Sequence, residues 1–185
     1  MSKIIAIMGK SGSGKDTIVH KLVEKYPNDF NEIISCTTRP IREGEAEGVN
    51  YFYLTDQEFN NKVVSGDMLE STEFNNWYYG TSLKSLDKFK TNIGVFNPDG
   101  VRALIRNENI DLIIFQIICD DKTRLLRQLN REEHPDTDEI VRRYGTDKED
   151  FKNLEFNTIK IKNDDGSNID REIEYIKHVY EAINV

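Results

Sequence analysis

Residues 9–17 read Gly-Lys-Ser-Gly-Ser-Gly-Lys-Asp-Thr and gather glycines, two lysines and three hydroxyls into one short stretch. That mixture can hold phosphate. Gly9, Gly12 and Gly14 open backbone conformations closed to other residues, so that successive N–H groups can point inward at an anion. Lys15 can place an ammonium between the outer phosphates of a nucleotide. Such a loop needs a strand before it and a helix behind it. Ile4-Ile5-Ala6-Ile7-Met8 is a short apolar run suited to a strand, and from Ile18 to Val23 apolar residues recur at helical spacing. A helix that starts near Lys15 aims its positive end at the same anion.

A hydroxyl residue is expected directly after the lysine, but Asp16 stands there and Thr17 follows. The displaced hydroxyl resembles the Gly-Lys-Gly-Thr variant of nucleoside monophosphate kinases. That resemblance makes Thr17 the magnesium ligand and Ser11, Gly12, Ser13, Gly14, Lys15, Asp16 and Thr17 the ATP-binding stretch. Asp16 must then face away from the phosphates or reach the metal.

A second constellation runs Ser35-Cys36-Thr37-Thr38-Arg39-Pro40-Ile41-Arg42-Glu43-Gly44-Glu45, with Gly48 and Tyr51 beyond it. Arg39 and Arg42 are two guanidinium forks able to hold a monophosphate bidentately, and Tyr51 can add a hydroxyl. Further on come Glu70, the run Tyr78-Tyr79-Gly80-Thr81, arginines at 124, 127, 131, 142 and 143, and Asn163-Asp164.

Together these residues resemble the guanylate kinase family. Its acceptor segment reads Ser-x-Thr-Thr-Arg-x-Pro-Arg-x-Gly-Glu, then Gly and Tyr at the same spacings; here proline sits at 40 rather than 41. The resemblance implies an ATP-dependent kinase with magnesium and GMP or dGMP as acceptor. It assigns the acceptor phosphate to Arg39, Arg42, Tyr51 and Tyr79, with Glu45 in the same segment. It assigns the guanine edge to Ser35, Glu70 and Thr81, the carboxylate accepting from ring N–H and amino groups. Arg127, Arg131 and Arg143 resemble the lid arginines that close over the phosphates, in a stretch one residue longer here, and Asn163 falls near the donor adenine. Lys15, Arg39, Arg42, Arg131 and Arg143 are the catalytic set so implied.

One departure stands out. The family's third core strand ends Asp-x-Asp-x-x-Gly, where this chain has Val95, Asn97 and Gly100. Asn97 can still hydrogen-bond a base through an amide, and Asp16 or Asp99 could supply the missing acid near the metal. Two other readings share much of the pattern. One is a kinase of another phosphorylated acceptor, such as another nucleoside monophosphate or ribose 1,5-bisphosphate. The other is a non-catalytic guanylate-kinase-like binding module, against which Gly14, Lys15 and Thr17 speak.

The 185 residues suit one domain with a sizeable core. A net charge of −8 argues against general nucleic-acid binding, which needs a basic face. Apolar runs are too short to span a membrane or form a signal peptide, so a cytoplasmic protein is expected, with no membrane partner. Cys36 and Cys119 have no ligand-like spacing and are expected to be reduced and buried.

The remaining pattern positions these groups. Strands are expected at Phe30–Ser35, Thr91–Phe96, Ile110–Cys119 and Phe156–Ile161; helices are expected at Asp120–Asn130, Thr137–Phe151 and Asn168–Ile183. Alternation of strand and helix predicts an α/β fold of the P-loop NTPase type, a parallel sheet flanked by helices. A small mixed insert over 35–82 carries the acceptor site, 127–145 forms a helical lid, and 1–34, 83–126 and 146–185 form the core. Thr55 and Glu58 have capping-box spacing for a helix running to Val64, and Asn75-Asn76 reads as a turn.

Overall fold

The computed structural model describes residues 2–74, 76–131 and 133–183. In chain order the elements are β1 (Ser2–Gly9), α1 (Lys15–Lys25), β2 (Phe30–Glu32), β3 (Cys36–Thr37), β4 (Phe52–Tyr53), α2 (Asp56–Val64), β5 (Met68–Phe74) and β6 (Trp77–Ser82). Then follow β7 (Thr91–Val95), α3 (Pro98–Ile105), β8 (Ile110–Ile118), α4 (Asp121–Leu129), α5 (Thr137–Asp150), β9 (Ile159–Lys162) and α6 (Ile169–Ile183). One sheet has the order β2-β7-β1-β8-β9, with β2–β7 and β8–β9 parallel. The central strand β1 is apolar because it is covered on both faces: Ile4 to Met8 are all buried. The expected α/β architecture with a parallel sheet is therefore the one formed.

The chain forms two compact units, Met1–Ala6 with Pro27–Ile113, and Ile7–Tyr26 with Ile114–Val185. The first contains a four-stranded sheet of order β4-β3-β6-β5, the mixed block expected after residue 35. Its helix α2 opens with the predicted capping box, Thr55 and Glu58 satisfying each other's backbone donors. Phe59 of α2 is buried, stacked on Tyr78 with centroids 5.5 Å apart. Gly80 lies under the same ring: a Cβ there would stand 3.1 Å from the Phe59 ring and 2.7 Å from the Glu70 carbonyl oxygen. In the second unit, Ile173 and Ile176 are buried on α6, and Ile18, Val19 and Leu22 on α1.

Several boundaries differ from expectation. β2 stops at Glu32 because, after one further bond from the Ile33 N–H to the Ile93 carbonyl, the chain leaves β7 to begin β3. β9 starts at Ile159 rather than Phe156, since its paired register with β8 begins at Phe115 and Ile159. β8 is less covered than its composition suggests, with Ile118 38% exposed. Cys36 is buried as expected, whereas Cys119, just past the end of β8, is only half-buried; neither is in a disulfide. Asn75 lies outside the described residues, while Asn76 takes the left-handed conformation of a tight turn, φ 62°. Among the described residues no helix is long and apolar enough to cross a membrane.

Phe59 is the aromatic keystone between α2 and the four-stranded sheet. Phe59→Ala is expected to cost about 3–5 kcal/mol in urea denaturation; a loss below about 1 kcal/mol would show that the sheet does not depend on this contact.

Candidate active site

The glycine-rich loop connects β1 to α1 within one unit. Its N–H at Ser13 bonds to the Lys10 carbonyl at 3.0 Å and closes a turn. Gly12 and Gly14 have φ of 77° and 86°, a region that favours glycine. At Gly12 a side chain would also collide with the Arg124 carbonyl. Gly14 is the N-cap of α1 and offers no side-chain cap; the first bond of the helix joins the Ile18 N–H to the Gly14 carbonyl at 3.1 Å. The N–H groups of Lys15, Asp16 and Thr17 are thus outside the helical ladder, at the positive end of the helix dipole. This is the donor set an anion requires. Lys15 is mostly covered, with Nζ 3.6 Å from the carboxylate of Asp16, whose side chain is 73% exposed. Thr17 is exposed in the same turn.

The carbonyls of the loop are bound from behind. Asn163 Nδ2 donates to the Ser13 carbonyl at 2.8 Å, and Arg127 Nη1 donates to the Asn163 carbonyl at 3.0 Å and to that of Ser13 at 3.5 Å. Arg127 and Asn163 thereby brace the loop with their polar atoms. Arg131, just after α4, is exposed. Arg143 on α5 donates from Nε to Glu139 at 2.7 Å, and Arg142 is bound to the same carboxylate.

The other unit assembles the second group on one face of the four-stranded sheet. Register sets this: Thr37 faces Tyr53 across β3–β4 and Tyr79 across β3–β6, and Tyr79 faces Thr72. Thr81, two residues beyond Tyr79, faces Glu70. Arg39 lies just past β3 with its side chain only 3% exposed. Its Nη2 donates to both oxygens of Glu45, at 3.0 and 2.9 Å, its Nη1 donates to the Pro40 carbonyl at 2.7 Å, and the guanidinium sits 5.3 Å from the Tyr51 ring centroid. Glu45 also accepts from the Arg42 N–H at 2.9 Å and the Tyr53 hydroxyl at 2.8 Å. Burial alone would raise the Glu45 pKa, but these donors and the Arg39 charge hold it below the usual carboxylate value. Tyr53 is pushed up to about 12 by burial and by its bond to Glu45. Glu45 is therefore the counter-ion that fixes Arg39. Tyr53, which the sequence reading left out, completes the cluster; its alternation with Tyr51 in a strand-like run was the available signal.

Tyr79 stands edge-on to Tyr51, centroids 6.0 Å apart; burial raises its pKa, with Arg39 and Arg42 opposing. Glu70 is 9% exposed, and burial lifts its pKa to about 7 against the moderating bonds of Thr81. Ser35 is half-buried and uses its carbonyl to accept from the Phe52 N–H at 2.9 Å. Asn97 caps α3, its Oδ1 accepting from the Gly100 N–H at 2.7 Å and its Nδ2 donating to Thr72 at 3.4 Å. Asp99 pairs with Arg102 at 2.7 Å.

A strand, a glycine loop with an uncapped helix N-terminus and a parallel sheet define a phosphate-binding α/β protein of the P-loop class. The family profile described as guanylate kinase matches residues 1–183. The guanylate kinase of Malacoplasma penetrans is 32% identical over 188 residues, covering 98% of this chain and 94% of that protein. That of Mycoplasmoides gallisepticum is 33% identical over 180 residues, covering 95% and 90%. The crystal structure of guanylate kinase from Anaplasma phagocytophilum shares the fold, with TM-score 0.71 at 20% identity over 98% of this chain and 85% of that one. The chain belongs to the guanylate kinase family.

Glu70 gives a signed pH dependence. Between 4.5 and about 7 the folded protein retains a proton that the unfolded chain has released, so this residue's contribution to stability falls as pH rises through that window. Wild type is expected to lose up to about 3 kcal/mol relative to Glu70→Gln between pH 4 and 8 in urea denaturation. Parallel pH curves for the two proteins would contradict the assignment.

Proposed function

We propose that the chain transfers the γ-phosphoryl group of ATP to GMP or dGMP, yielding ADP and GDP or dGDP. The observation that carries this reading is the placement, on one sheet face, of a buried carboxylate, Glu70, and a braced guanidinium, Arg39. The first suits the N–H edge of guanine, the second a monophosphate. Ser35 and Thr81 complete the base contacts and Arg42, Tyr51 and Tyr79 the phosphate contacts, while Asn97 offers its amide to the base.

On the donor side the loop 11–17 holds the phosphates through the open N–H groups of Lys15, Asp16 and Thr17 and the Lys15 ammonium. Thr17 offers an exposed hydroxyl to magnesium, which neutralises phosphate charge when bound. Arg131 and Arg143, in a lid over 127–145, meet charge developing on the transferred group. The acceptor is already an ionised phosphate, so no general base is required; alignment and charge neutralisation carry the chemistry. Residues 35–82 serve as the acceptor insert of a cytoplasmic enzyme.

A coupled assay with ATP, magnesium and GMP, dGMP, AMP, dTMP, dCMP, UMP or ribose 1,5-bisphosphate tests the reading. Turnover is expected with GMP and dGMP. Lys15→Ala should lower kcat by about 10²–10³-fold, and Arg42→Ala should raise the GMP KM about tenfold with the ATP KM unchanged. Preference for another acceptor would overturn the substrate, and ATP binding without any turnover would overturn the kinase assignment.

A further inference from the structure

Arg124 lies close in sequence to the lid arginines Arg127 and Arg131, yet its side chain is completely buried. Nε donates to Asp121 at 2.8 Å and Nη1 to Asp147 at 3.0 Å, and the guanidinium carbon lies 4.4 Å from the Tyr144 ring centroid. The Tyr144 hydroxyl donates in turn to Asp121 at 2.6 Å. Asp147, itself 5% exposed, accepts the Ser11 N–H on Oδ2 at 2.8 Å, and its Oδ1 lies 3.4 Å from the Ser11 hydroxyl. The Ser11 carbonyl receives Arg124 Nη1 and Gln128 Nε2, each at 3.4 Å, and the Arg124 carbonyl fills the space a Gly12 side chain would need.

We infer that Asp147 and Arg124 are positioning residues for the phosphate loop, Asp147 acting as a built-in anion on the Ser11 N–H and Arg124 as its counter-ion. The inference rests on the donor-site reading given above. It goes beyond that reading because neither side chain belongs to the loop or to the arginines assigned to the phosphates. Stability alone does not account for the pair, since a buried ion pair is often matched by apolar residues of the same volume. Among the described residues Arg124 Nη2 has no partner, so the network is not saturated. Its effect is to fix the loop turn. The two residues also flank the segment 127–145, so they tie both of its roots to Ser11.

The test compares Asp147→Asn, Asp147→Ala, Arg124→Leu and the double variant Arg124→Leu/Asp147→Ala. It measures ATP Kd by calorimetry without acceptor, ATP and GMP KM values, and thermal unfolding. Asp147→Ala leaves the Ser11 N–H unbound and is expected to weaken ATP about tenfold or more, with the GMP KM changed less than about twofold. Asp147→Asn keeps an acceptor for that N–H in the same volume and should fall between. The double variant should regain thermal stability relative to the singles without regaining ATP affinity, a separation a purely structural pair would not give. Wild-type ATP affinity in folded Asp147→Asn and in the double variant would overturn the inference. Kd is read without acceptor, so failure to use GMP would count against the proposed reaction and leave this result standing.

Discussion

A phosphate loop must leave one set of N–H groups open to an anion while every other polar group of the same backbone is satisfied without water. Much of the unit that carries the glycine-rich loop follows from that constraint. The uncapped start of α1 supplies the open set, at Lys15 to Thr17. Several of the others are met by groups from far along the chain: Asp147 on the Ser11 N–H, Arg124 and Gln128 on the Ser11 carbonyl, Asn163 and Arg127 on that of Ser13. Helices α4 and α5 and the end of β9 are placed where these side chains can reach. A loop braced this way presents its donors with little reorganisation, which is where electrostatic catalysis gains most.

In the unit that carries the proposed acceptor site the same difficulty is met with side chains. A guanidinium that is to grip a phosphate must be held in one orientation before the phosphate arrives. Glu45 does this for Arg39 with both oxygens, and is itself fixed by Tyr53 and the Arg42 N–H. The arrangement desolvates an ion pair, so the cluster works only complete; removing one partner strands a buried charge. Glu70 shows the complementary case. Burial outweighs the bonds from Thr81 and its pKa rises, so a ligand offering N–H donors would favour the ionised form.

What the chain disclosed in advance divides by sequence distance. The loop, the capping box of α2 and the strand-loop-helix order are local, and glycine, lysine and hydroxyl types at fixed spacing announce them. The parallel sheet follows from the alternation of strands with helices. Glu45 was visible as part of a string, but its orientation toward Arg39 depends on Tyr53 and a sheet register that no local pattern states. Nothing local marks Arg124 as buried, because its partner Asp147 lies 23 residues away and its target Ser11 113 residues away. The short β2 and late β9 have the same origin, since a strand ends where its neighbour stops pairing, not where its own propensity does.

The proposed reaction requires one molecule to carry both an adenine-nucleotide phosphate site and a guanine-nucleotide site that serve a single transfer. The most direct measurement is the Kd of a bisubstrate analogue joining adenosine and guanosine through a polyphosphate bridge, set beside those of ATP and GMP alone. Binding at least about 10²-fold tighter than either nucleotide, lost on Lys15→Ala and on Arg42→Ala, is the predicted result. An analogue no tighter than ATP, or indifferent to one of the two substitutions, would contradict it.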